Sequence, residues 1–337
     1  NHNNWNHKFI IYEIYFLIFD IAFILFYKFK PFPHFSKKIT NFCSFFVDNW
    51  DYPNIFCNFA LEMEKCIQIH GQLMKFSVPR VMAIVNLSSD SFYSSCDVSC
   101  EEKFLLQVES MLNAGADILD IGACSTRPTS TPISLHAEWQ SMELGLKIIR
   151  HHWSNVIISV DTFRPEVAEQ AILNGADMIN DVYGGDADMK MWDVIAKYRV
   201  PYVLTHAQKI SDTCYYDATI SQVLYSLQQK LDALRRRQIN DVMIDPGFGF
   251  EKTLDQNYAI LRQLNVLECL HAPILAGVSR KSMFYKPLNT TPDQVLPATI
   301  AAQMIALEQG ANILRVHDVP AAKQAIAVYQ LTYKDIL

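Results

Sequence analysis

Glycine is missing from the start of this sequence: all 11 glycines of the 337 residues lie at or after Gly71. Arginine is absent before Arg80 and methionine before Met63, whereas 13 of the 20 phenylalanines stand before residue 60. One averaged composition therefore describes neither part of the chain. No Lys/Arg-rich run occurs and the net charge is −6, which excludes a protein that lives on nucleic-acid phosphates. The eight cysteines show no C-x-x-C pair and no zinc spacing. They read as thiols of a reducing compartment, and the expected location is cytoplasmic.

What the first segment does contain is an apolar run from Phe9 to Tyr27, broken by Glu13 and Asp20 and flanked by Lys8, Lys28 and Lys30. Its length suits a membrane span, but an Asp near the bilayer centre costs roughly 2.5–3.5 kcal/mol. A secretory signal would need a basic start and a small-residue cleavage site, and neither is clear. Residues 1–62 are rich in Phe, Ile, Asn, Tyr and Lys, as non-coding AT-rich sequence looks when a reading frame is extended upstream. The expectation is an N-terminal extension over 1–62, outside the native coding sequence or a hydrophobic leader. Met63 or Met74 is then the natural start, and a barrel follows over 63–337 with its first strand from about residue 81. No membrane partner is expected unless the extension is real.

After Pro79, short apolar runs alternate with amphipathic segments of helical length. The strand candidates are 81–85, 118–121, 157–160, 178–180, 202–204, 242–244, 274–276 and 313–316. Each is aliphatic or β-branched, as strands buried on both faces should be. Helical patterns lie between and after them, at 101–113, 135–151, 165–173, 187–197, 220–237, 254–263, 292–309 and 320–333. Eight β-α units in about 255 residues predict an α/β fold of the (β/α)8, or TIM barrel, kind. The phrases A-G-A-D, N-G-A-D and Q-G-A-N place Gly115, Gly175 and Gly310 as left-handed helix caps. The runner-up, an open doubly wound sheet, needs a G-x-G-x-x-G turn after its first strand, and none occurs.

Chemistry in such a barrel sits at the C-terminal ends of the strands. Those positions hold Asn86, Ser125-Thr126-Arg127-Pro128, Asp161, Asn180-Asp181, His206, Asp245, Ser279-Arg280-Lys281-Ser282, Arg315 and His317. An Asp or Asn after a strand is usually a turn or cap residue, but eight polar strand ends together exceed what capping explains. Asp161, Asn180 and Asp245 form an acceptor-rich set that would satisfy a neutral heterocycle bearing ring N–H and amino groups. Paired carboxylates could instead be a metal site or a general acid–base pair, but no His or Glu completes the usual metal spacing. Arg127, Arg315 and His317 form a cationic set, and Arg offers a two-pronged fork for phosphate oxygens. A flat polar ring joined to phosphate or diphosphate fits both sets.

The motifs V-N-L-S-S-D-S-F (85–92), D-I-G-A-C-S-T-R-P (120–128), S-V-D-T-F (159–163), I-N-D (179–181), D-P-G-F-G-F (245–250), S-R-K-S (279–282) and R-V-H-D-V (315–319) resemble dihydropteroate synthase, in that family's order. The resemblance covers the chain from about Arg80 onward. It implies a transferase of folate biosynthesis that joins p-aminobenzoate to (7,8-dihydropterin-6-yl)methyl diphosphate, giving 7,8-dihydropteroate and diphosphate. It also implies a sulfonamide target, a homodimer and a requirement for Mg2+. Carried over by motif, Asp161, Asn180, Asp245 and Lys281 hold the pterin. Asn86, Thr126, Arg315 and His317 hold the diphosphate, with the metal at Asn86. Pro128, Phe250 and Ser282 frame the aminobenzoate. Asn86, Thr126, Arg127, Lys281, Arg315 and His317 are the expected catalytic set.

The chain departs from the family's commonest pattern at Leu87-Ser88-Ser89, Tyr93 to Cys96, Gly122-Ala123-Cys124, Thr129, Glu251 and Thr205-His206-Ala207. Asp90 and Asp97 are alternative acidic contributors of the first loop. Two competing functions stand beside this reading. A pterin-binding methyltransferase would have no diphosphate to hold, which S-R-K-S with R-V-H-D argues against. A non-catalytic paralogue would not need every ring and diphosphate residue.

Overall fold

The computed structural model describes residues 64–87, 98–123, 133–210 and 216–333. The leader expectation over 1–62, together with Asp90, Asp97, Thr126, Arg127 and Pro128, falls outside the described residues. Among the described residues no helix is long and apolar enough to cross a membrane.

A hairpin of β1 (Cys66–Ile69) and β2 (Gln72–Lys75) comes first. The barrel strands follow: β3 (Arg80–Asn86), β4 (Ile118–Gly122), β5 (Ile157–Asp161), β6 (Met178–Asp181), β7 (Tyr202–Thr205), β8 (Val242–Asp245), β9 (Leu275–Ala276) and β10 (Ile313–Val316). They pair in parallel in the order β8-β7-β6-β5-β4-β3-β10-β9. The ring closes through a parallel bridge between Ile244 and Ile274, where the Ile244 N–H donates to the Pro273 carbonyl at 2.9 Å. The expected (β/α)8 barrel is the observed architecture, and each expected strand lies within one or two residues of its place.

The outer layer comprises α1 (Val98–Asn113), α2 (Leu135–His152), α3 (Pro165–Leu173), α4 (Lys190–Tyr198), α5 (Tyr216–Arg236), α6 (Leu254–Arg262), the short α7 (Ser282–Tyr285), α8 (Leu296–Glu308) and α9 (Val319–Thr332). Helix α8 was expected from Pro292 and starts four residues later, with Pro297 in its first turn, where a missing N–H costs nothing. Successive residues of a strand point to opposite faces, and this divides the core in two. Val81, Leu119, Ile158, Ile179, Leu204 and Ile244 pack outward against helices. Met82, Ile118, Met178, Val203, Met243, Leu275 and Ile313 fill the lumen near its N-terminal end.

No strand was expected before Arg80, yet β1–β2 plugs that end. Ile67, Ile69 and Phe76 join the lumen cluster, while the Gln68 N–H donates to Asp241 Oδ1 at 2.7 Å. The three glycine phrases also explain the barrel's lower rim. Gly115, Gly175 and Gly310 take φ of +92°, +101° and +87°, so the left-handed turn expected of them is present. Two residues later, Asp117, Asp177 and Asn312 each make the same pair of hydrogen bonds to a neighbouring strand. The Asp117 N–H donates to Val81 O at 2.9 Å while its Oδ2 accepts the Val81 N–H at 2.9 Å. Asp177 does this with Ile158 (2.9 and 2.6 Å) and Asn312 with Ile274 (2.8 and 2.9 Å). One short polar side chain thus satisfies the orphan backbone groups where adjacent strands begin.

Candidate functional site

The same alternation aims the last inward residue of each strand at the mouth. Because Val203 and Met243 face the lumen, Thr205 and Asp245 two residues on do so too. Likewise Met82 leads to Ile84 and Asn86, Ile118 to Asp120 and Gly122, Met178 to Asn180, and Ile313 to Arg315. The sequence-predicted Asn86, Asp161, Asn180, Asp245, Arg315 and His317 therefore converge on one end, with Lys281 and Phe250 from loops above it. Asn86 is exposed there; Asn180 and Asp245 are buried.

A residue the sequence reading left out stands at the centre. Asp120 is fully buried, and its Oδ2 accepts from Arg315 Nε at 2.6 Å and from Asn180 Nδ2 at 3.0 Å. Arg315 Nη2 donates to Asp161 Oδ2 at 2.5 Å. Asn180 and Asp161 of the expected acceptor-rich set and Arg315 of the cationic set are thus joined in one hydrogen-bonded chain, Asn180–Asp120–Arg315–Asp161. A signal was available: a carboxylate inside the apolar run I-L-D-I, at an inward position, has to be partnered or functional.

Burial pushes the Asp161 carboxyl up to about 7; Arg315 opposes this, and Asp120, Asp181 and Glu138 add to it. Asp245 is also raised by burial, against the pull of the Gly247 N–H (2.7 Å to Oδ1), Lys281, Arg315 and Lys252. Burial alone would disfavour the Arg315 cation, but Asp120 and Asp161 hold it protonated. A site with a fixed cation and buried carboxylates raised above their usual range can accept N–H donors and stabilise positive charge beside them.

The mouth also has room. Two inward positions are glycine: a Cβ at Gly122 would sit 3.3 Å from Asp161 Cβ, and one at Gly277 would sit 3.5 Å from Asp245 Oδ2. A side chain at 122 would crowd Asp161, and one at 277 would come into contact with Asp245. Asp120 Oδ1, Ser159 Oγ and Thr205 Oγ1 are buried and unpartnered among the described residues. Native interiors rarely leave such atoms unsatisfied, and all three lie at inward positions of the barrel, so the cavity holds hydrogen-bonding capacity for a polar occupant or water.

Lys281 Nζ lies 4.6 Å from the Phe250 ring centroid, a cation–π contact. Ser282 opens α7 directly after it. The Ser279 hydroxyl lies 3.0 Å from His317 Nδ1 and accepts the His317 backbone N–H at 3.2 Å. Arg280 turns away: its fork grips both oxygens of Asp318, at 2.9 and 2.6 Å, and Nη1 reaches Asp293 at 3.0 Å. The S-R-K-S and R-V-H-D motifs are thereby bolted together by a two-pronged ion pair. Asp181 faces outward from the site; it accepts from the buried Tyr202 hydroxyl at 2.7 Å and from the Tyr183 and Gly185 N–H groups. His206 is buried, and desolvation pushes it down to about 3, so its ring is neutral. Among the described residues no cluster of three or more His, Cys, Asp or Glu could hold a metal.

The family described as pterin binding enzyme matches residues 82–317. The dihydropteroate synthase of Haemophilus influenzae is 34% identical over 269 residues, covering 78% of this chain and 97% of that protein. The folic acid synthesis protein fol1 of Pneumocystis carinii is 37% identical over 252 residues. That match covers 71% of this chain and 34% of fol1, so the chain spans about a third of that longer protein. The solved structure of Xanthomonas albilineans dihydropteroate synthase with 4-aminobenzoic acid superposes with a TM-score of 0.72 at 34% identity, covering 80% of this chain and 98% of that one.

Proposed function

Since this chain belongs to the pterin-binding enzyme family, alongside the dihydropteroate synthases of folate synthesis, we propose that its barrel mouth condenses a dihydropterin methyl diphosphate with p-aminobenzoate. One observation carries the assignment of roles: the Asn180–Asp120–Arg315–Asp161 chain sits beside two inward glycines and Asp245. It offers a flat ring acceptors on its edge and a cation beside its leaving group.

In this reading Asp161, Asn180 and Asp245 take the N–H and amino groups of the pterin, and Lys281 takes a ring oxygen or nitrogen. His317 and the Nη1 of Arg315 face the diphosphate, with Asn86 and Thr126. The methylene–oxygen bond breaks and its electron pair leaves with the diphosphate, whose growing charge Arg315 and His317 neutralise. The positive charge left on the methylene is shared with the ring, and the carboxylates of Asp161 and Asp245 favour it. The aniline nitrogen then forms the new C–N bond and loses a proton to water. Phe250, Pro128 and Ser282 frame the aminobenzoate, where a sulfonamide would compete. Arg127, next to Thr126 in the chain, is assigned to the catalytic set. No enzyme nucleophile is needed.

Mg2+ belongs to this proposal. It keeps most of its waters and needs few protein ligands when phosphates bind it, so the single exposed amide of Asn86 suffices on the protein side. When bound, it would neutralise diphosphate charge. A cytoplasmic location suits the exposed thiols of Cys66 and Cys269. A homodimer through α8 and α9 is part of the reading, because Ile305, Val328 and Leu331 leave 42%, 54% and 75% of their surface exposed there. Light scattering of the purified chain tests it.

The functional test is direct. The full chain is incubated with the pterin diphosphate, p-aminobenzoate and Mg2+, and dihydropteroate and diphosphate are followed together. Stoichiometric formation of both is the expected result. Tight pterin diphosphate binding without product would sink the enzyme reading in favour of a binding-only paralogue.

A further inference from the structure

Lys252 is a largely buried lysine with no carboxylate in its hydrogen-bonding shell among the described residues. Its ammonium instead donates to three backbone carbonyls: His206 O at 2.8 Å, Gly247 O at 2.9 Å and Phe250 O at 3.1 Å. An ammonium has three donors and no acceptor, so this cage uses all of them. The carbonyls come from two places. His206 ends the β7 strand run, and Gly247 and Phe250 bound the turn that leaves β8. The amine therefore ties one strand end to the neighbouring loop.

That loop has little slack. Gly247 has φ +73°, and a Cβ on it would fall 2.0 Å from the His206 carbonyl oxygen, so the turn is pressed against the end of β7. From the opposite side, Asn257 of α6 accepts the Gly249 N–H at 2.7 Å and donates to the Lys252 and Thr253 carbonyls at 3.2 and 2.7 Å. The turn carries two contacts toward the mouth. Phe250 lies against the Lys281 ammonium, and a Cβ at Gly249 would be 3.2 Å from Lys281 Cδ.

We propose that Lys252 is a positioning residue of the mouth: it clasps the 247–250 turn to β7 and so sets where Phe250 stands and, through its contact with Phe250, where Lys281 stands for the pterin. Its charge also adds to that of Lys281 in opposing the rise that burial imposes on the Asp245 carboxyl. Burial pushes the Lys252 ammonium down to about 7, and Asp245 pulls it back. The inference rests on the pterin reading of the site.

The test uses the full chain and the Lys252→Met variant, which keeps length and loses every donor. Binding of the pterin diphosphate is measured by calorimetry and stability by urea unfolding. We expect binding weakened about tenfold or more, the scale of a lost charged hydrogen-bond network. We also expect Lys252→Met/Phe250→Ala to bind no worse than the weaker single variant, because both act through one contact. Should the Met variant fail to fold, Lys252→Gln, which retains two donors, is carried through the same cycle. A lowered urea midpoint with unchanged pterin affinity, or losses that simply add in the double variant, overturns the positioning role alone. A wild type that binds no pterin diphosphate overturns both this role and the functional reading.

Discussion

The two ends of the barrel use the same residue types for opposite purposes. At the N-terminal end Asp117, Asp177 and Asn312 are spent on backbone: each closes a two-way bridge to the next strand. Asp177 also meets Arg150 and His70, and Asp117 meets Arg80 and Lys323. At the C-terminal end the largely buried Asp161 and the buried Asp245 have their pKa raised, and Asp120 Oδ1, Ser159 Oγ and Thr205 Oγ1 are left unpartnered among the described residues. Acids that the fold satisfies completely secure the barrel. Acids that it satisfies in part remain available to a ligand, at a cost in stability.

The contrast can be broken first at the mouth. Arg315→Ala should lose activity by about 10²-fold or more, the effect of removing a group aimed at developing charge, and should also strand Asp120 and Asp161 without their cation. Lys281→Ala should lose most activity too, with little change in unfolding midpoint. Steady-state kinetics paired with urea unfolding separates the two, and near-normal turnover in either variant would refute the site map.

Next, at the lower rim, Asp177→Ala removes the partner of the buried Ile158 N–H and of Arg150. It should destabilise by about 2–4 kcal/mol while kcat/KM of the folded fraction stays near wild type. A loss of kcat/KM with unchanged stability would show that the two ends are not separable.

The pH response should differ between the ends. The Asp161 carboxyl, raised to about 7 in the fold, binds its proton more tightly folded than unfolded. Its contribution to stability is therefore full below the unfolded carboxyl range and is lost as pH rises toward 7. Activity should run the other way, since the ionised form supports the cation. In Asp161→Asn the urea-unfolding slope over pH 4–7 should flatten; an unaltered slope would remove Asp161 from the account. The smallest effect belongs to His70→Ala. His70 is 73% exposed although its partner Asp177 is buried, so about 1 kcal/mol or less should be lost, measurable by the same unfolding.

Much of this was legible in the residues. Strand positions followed from apolar runs of the right length, and the turn glycines followed from a phrase that occurs three times. Asp161, Asn180, Asp245, Arg315 and His317 could be placed at one mouth because a strand's last inward residue needs no further information than its period. The β1–β2 hairpin was not legible. Its strands C-I-Q-I and Q-L-M-K are four residues each, too short for a period to declare itself. Arg280 could not be told from Lys281 by type, and only the fold turns one onto Asp318 and leaves the other beside Phe250.

By itself, the sequence determined that eight β-α units form a barrel and that Asp161, Asp245, Arg315 and His317 stand at its mouth, because hydrophobic periodicity and glycine placement are local properties of the chain. Tertiary structure alone decided which of these acids are spent and which are kept. Asp120 and Arg315 are 195 residues apart in the chain, and Lys252 finds its carbonyls partly on another strand. Such pairings depend on barrel closure bringing distant strands into register, and no stretch of sequence carries that distance information.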